Sequence, residues 1–63
     1  MTYYVEIRDT AGKLVMFHNL SEQARTSIVE AMKSGTVAVF RDAHEGLHMV
    51  NMAHVVRTVV DVA

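Results

Sequence analysis

The chain has 63 residues, of which 51% are hydrophobic and 21% charged, with a net charge of -1 and no cysteine. That mixture is too apolar for a disordered chain, and no apolar run approaches the roughly 18 to 20 residues needed to cross a bilayer. Near-neutral charge argues against a protein held on nucleic acid mainly by counterion release, and the missing thiols exclude disulfides and thiolate metal sites.

A chain of this length forms one domain, residues 1–63, and a domain so small buries only roughly 60% of its unfolded surface, so its core is thin. The first residues, Met1 to Glu6, carry an acid where a secretory signal would need a basic segment, which makes the cytoplasm the expected location. Tyr3 to Arg8 alternate, with Tyr3, Val5 and Ile7 on one side and Tyr4, Glu6 and Arg8 on the other, the period of a half-buried strand. Asp9 to Lys13 is a turn in which Gly12 can take a positive φ, so Leu14 to His18 is expected to return antiparallel. Its facing is open, because Leu14 and Met16 on one side and Val15 and Phe17 on the other are all apolar.

Ser21 is expected to cap a helix running to Ser34, with Glu22 favourably placed in the first turn and Gly35 as the stop. Ala24, Ile28, Ala31 and Met32, with Val29 alongside, form its apolar stripe. Thr36 to Arg41 and Leu47 to Met52 read as a second hairpin around Asp42–Gly46, and Asn51 is suited to cap one tight turn before a last strand, Val55 to Val62. On that strand Val56, Val60 and Val62 share a face with Thr58, while Val55 and Val59 alternate with Arg57 and Asp61. The expected fold is therefore α+β: an antiparallel sheet of four to five strands with one helix on a face, in the order β-β-α-β-β(-β).

With apolar residues on both sides, the last strand has too little of its own protein to cover it. Val55, Val56, Val59, Val60 and Val62 are accordingly expected at a junction between copies, giving a homodimer or small ring. The segment Met49 to Val60 resembles the closing strands of the bacterial Sm-like RNA chaperones, in which a short histidine-bearing turn joins two ring-building strands. The resemblance requires an insertion, and it implies a capped turn and a subunit-joining strand rather than any particular functional residue.

The chemical signals are sparse. His44, His48 and His54 lie close in sequence to Asp42 and Glu45, but Gly46 and a turn fall where a helical His-x3-His metal pair would need continuous helix, so no metal site is assigned. Ser21, Ser27 and Ser34 belong to the helix and its ends, with no nucleophile elbow around them, and there is no Gly-rich phosphate loop, so neither an enzyme nor a cofactor is expected. What remains is a non-catalytic homo-oligomeric interaction module, an accessory or regulatory protein binding a macromolecule or small ligand at a subunit junction. Arg41, His48, Asn51, His54 and Arg57 are its candidate binding residues. The alternative is a nucleic-acid-binding oligomer, with Tyr4, Phe17 or Phe40 stacking on bases and Arg8, Arg41, Arg57 or Lys13 meeting phosphate.

Overall fold

The side chains that alternation assigns to the interior of the first strand are those the fold buries: Val5 and Ile7 are buried and Tyr3 packs beside them. A computed structural model describes every residue from Met1 to Ala63. It contains β1 (Tyr3–Asp9), β2 (Leu14–Leu20), α1 (Glu22–Ser34), β3 (Val37–Arg41), β4 (Leu47–Asn51), a single 3-10 turn (Met52–His54) and β5 (Val55–Val62). The α+β class and the element order are those read from the sequence. The strands, however, divide between two antiparallel sheets, one ordered β2-β1-β5 and the other the β3-β4 hairpin alone.

Local chemistry accounts for most boundaries. Asp9 Oδ1 accepts from the backbone N–H of both Ala11 and Lys13, and Gly12 sits at φ 84°, closing the β1-β2 turn. Ser21 Oγ accepts from the Ala24 N–H at 3.1 Å, and Gly35 enters the left-handed region at φ 65° while its N–H reaches Ala31 O, so α1 is capped at both ends. Asn51 Oδ1 accepts from the Ala53 N–H to cap the 3-10 turn. That turn divides the sheets: Met52 N–H donates to Thr36 O as the last rung of the hairpin, and the chain then leaves to pair with β1.

Two bulges set which residues face inward. Between Tyr3↔Leu20 and Val5↔Phe17, β2 carries one more residue than β1, with Asn19 at φ 57°, so Phe17 and Leu20 both turn toward the core. A second extra residue on β5, between Arg8↔Arg57 and Asp9↔Val55, turns Val55 inward and leaves Val56 59% exposed. The strict alternation expected for the last strand fails at that point. Thr58 and Val60 pair with Ile7 and Val5 on the core side, and Thr58 Oγ1 lies 3.5 Å from Met32 Sδ of α1.

The core is nine residues: Val5, Ile7, Leu20, Ala24, Ile28, Ala31, Ala38, Phe40 and Met52. Every element except β4 and β5 supplies at least one, which is why so thin a core still ties both sheets to the helix. No helix is long and apolar enough to cross a membrane.

Candidate functional site

The hairpin turn carries the most organised polar group. Asp42 Oδ1 accepts from the backbone N–H of His44 at 2.8 Å and of Gly46 at 2.9 Å, while Oδ2 accepts from His48 Nε2 at 2.7 Å. The bond to His48, then the backbone bonds to Gly46 and His44, hold the Asp42 carboxyl down at about 2. Gly46 is required for this geometry, since a Cβ there would stand 2.7 Å from Asp42 Oδ2. The His48 ring also stacks on Phe40 at 5.4 Å between centroids and meets the edge of Phe17 at 4.9 Å, and Phe17 in turn packs edge-on against Phe40. The pair therefore joins the turn to an aromatic cluster that bridges the two sheets. No group of three or more His, Asp or Glu side chains lies close enough together to hold a metal ion.

The five binding residues expected from the sequence do not converge. Arg41 and His48 adjoin the same turn but face opposite sides of the hairpin: Arg41 is exposed, with Nη1 donating to Glu45 O, while His48 points inward. Asn51 spends its side chain on the 3-10 cap at the far end of β4, and exposed His54 closes that turn, its carbonyl accepting from Thr10 N–H. Arg57 lies on the other sheet, directly opposite Arg8. Of the rings proposed to stack on bases, Phe17 and Phe40 are turned into the molecule. Tyr4 stays outward, its hydroxyl donating to Glu6 Oε2 at 2.7 Å, a bond that pushes the phenol pKa up.

The valines assigned to a subunit junction separate as well. Val55 and Val60 pack against the chain's own core and Val59 is half-buried, and β5 pairs with β1 along one edge. Val56 and Val62 remain exposed.

A different surface is uncovered. In the hairpin register Val37↔Asn51, Val39↔Met49 and Arg41↔Leu47, one face is turned away from the core. On it Val37, Val39, Leu47 and Met49 are 49%, 47%, 55% and 69% exposed. Arg41 and Asn51, also exposed, sit at its two ends. The sequence signal was present in the two-sided apolar character of Thr36 to Arg41 and Leu47 to Met52, but only the cross-strand register groups these four side chains.

Comparison with known protein families, curated proteins and solved structures finds no match, so the functional reading rests on geometry and chemistry alone.

Proposed function

We propose that the chain is a non-catalytic homo-oligomeric interaction module that self-associates through the outer face of the β3-β4 hairpin. It would act as an accessory or regulatory protein in the cytoplasm, where a chain without cysteine needs no oxidising environment. The observation that carries this reading is the Val37, Val39, Leu47, Met49 face, in which Val39 and Met49 pair directly across the strands, Val37 and Leu47 flank them, and the polar partners Asn51 and Arg41 stand at the ends.

A second copy is the occupant that suits it. Side chains so exposed amount to an apolar patch of about 400 Å², the size at which patches on small proteins mark interaction sites. Two such faces packed together bury about 800 Å² in total before their rims are counted, the low end of specific interfaces, which fits an assembly that dissociates on dilution. A second copy would meet this face across a two-fold axis, presenting the same residues from each side.

Sedimentation across a dilution series tests it. The parent chain is expected to exceed the 7.0 kDa of one copy and to dissociate on dilution. Leu47→Lys combined with Met49→Lys, both on exposed positions of β4, should run as one copy with an unchanged far-ultraviolet spectrum. A parent that sediments as a single chain at every concentration, or a double variant that still associates, overturns the reading.

A further inference from the structure

The β3 strand has a partner on one edge only. Met52 N–H bonds Thr36 O and Asp42 N–H bonds Gly46 O, both at 2.9 Å, which fixes the phase of the ladder between them. Hydrogen-bonded and non-bonded pairs alternate in an antiparallel ladder, so Ala38 and Phe40 bond toward β4. Val37, Val39 and Arg41 point their N–H and C=O groups the other way, where no strand pairs with them. An open row of three donors and three acceptors is a template for another strand.

That edge forms one wall of a groove whose other wall is α1. A cavity of about 760 Å³ lies between the N-terminal half of α1 and Val39, Phe40 and Arg41. A smaller one, about 340 Å³, continues it between the C-terminal half of α1 and Val37, and the two share Ser27 and Val39. The groove is acidic on balance: the carboxylates of Glu22, Glu30, Asp42 and Glu45 border it against the Arg41 guanidinium and the amino terminus at Met1. Asp42 is engaged by His48, and Glu30 makes only an exposed contact with Lys33 at 3.8 Å, whereas Glu22 and Glu45 hold no ion pair.

We infer that this groove accepts an extended, lysine- or arginine-bearing peptide segment, which adds to the free edge of β3 as a third, antiparallel strand. Main-chain bonds to Val37, Val39 and Arg41 supply the affinity, and the carboxylates select the charge of the side chains directed at the groove. The site adjoins the self-associating face and shares the side chains of Val37, Val39 and Leu47 with it, but its main-chain bonds lie on the edge of β3, which that face does not use.

The test uses a fluorescein-labelled peptide alternating valine and lysine, with a valine-glutamate peptide of the same length as control. Binding is read by anisotropy, and protection by amide hydrogen exchange. The protein is the parent chain at high dilution, so that self-association does not enter the result; Leu47 lines the cavity, and a lysine there would itself repel a lysine peptide. The lysine peptide should bind and protect the amides of Val37, Val39 and Arg41, and the glutamate peptide should bind at least about tenfold more weakly. Val39→Pro removes one outward N–H while sparing every bond to β4, the edge position at which proline is tolerated, and should weaken binding up to about tenfold. Glu30→Lys should weaken it with the edge intact. If Val39→Pro fails to fold, the exchange pattern and Glu30→Lys decide the matter alone. Equal binding of the two peptides, no protection at the three amides, or protection that appears with protein concentration and without peptide would overturn the inference; the last outcome would put a second copy on the edge.

Discussion

The molecule turns two sheet faces outward, and they are built differently. On the three-stranded sheet, Leu14, Met16 and Val59 are interleaved with Tyr4, Glu6, Arg8, Arg57 and Asp61, so every apolar side chain has a polar neighbour across the ladder. On the hairpin, Val37, Val39, Leu47 and Met49 adjoin one another with polar residues only at the ends. Both faces expose aliphatic surface of similar extent per residue, with Met16 48% and Val39 47% exposed. The number of exposed aliphatic residues therefore does not distinguish a face made for water from one that water covers by default; their contiguity does. Strands apolar on both sides are those that proteins ordinarily bury on both sides.

Both faces rest on the same buried support from α1, and removing it should unsettle both. Ile28 is fully buried on α1 between the sheets, and Ile28→Ala should cost about 3 kcal/mol from lost burial and the cavity left behind. Small domains hold only about 5 kcal/mol in all, so thermal melts followed by circular dichroism should show the two sheets lost together, at a much lower midpoint. Separate transitions would mean that the hairpin is an independent unit. Ser21→Ala, which removes the N-cap at the start of α1, should cost about 1 kcal/mol and lower the same single transition.

A pH series separates the hairpin from the rest. The Asp42 carboxyl sits at about 2, below the ordinary 3.8, because the native state bonds its charged form. A depressed folded-state value stabilises the protein above the unfolded value, so this contribution is complete above about pH 4 and is lost as pH falls toward 2. Asp42→Asn should melt lower than the parent at neutral pH, and the difference should narrow as acid is added. A constant difference down to pH 2 would show that the Asp42 charge does not stabilise the fold. Gly46→Ala, which drives a Cβ against Asp42 Oδ2, should lower the neutral-pH midpoint in the same direction.

Features decided within a few residues were legible in the sequence. The Ser21 cap, the Gly12 turn, the Gly35 stop and the Asn51 cap each rest on one side chain or one backbone angle, and each stands where its residue type predicts. Features decided between strands were not. One extra residue at Val56 exchanges the facing of Val55 and Val56, because a single-residue slip moves a side chain to the other side of a sheet. The division into two sheets depends on where the 3-10 turn sends β5, and its pairing with β1 lies far outside any local pattern. The Asp42–His48 bond fell between these cases: both residues were singled out near one turn, but only the register Phe40↔His48 directs the imidazole inward, beside the carboxylate. Val37, Val39, Leu47 and Met49 were missed because strands apolar on both sides give parity nothing to separate.

Arg8 and Arg57 stand directly opposite each other on the outer side of the three-stranded sheet, and neither lies within ion-pair distance of an acid, although Arg8 Nη1 donates to Gly12 O. Like charges directly opposite in a ladder are unfavourable, and opposite charges there contribute roughly 0.2–1 kcal/mol. Arg57→Glu should therefore raise the melting midpoint slightly, and the gain should shrink with added salt, as it must for solvent-exposed charges. Because this face is already dispersed in charge, the same substitution should leave the sedimentation of the parent unchanged. If Arg57→Glu instead shifts the mass in solution, the copies meet on the three-stranded sheet, and the aliphatic face of the hairpin needs another occupant.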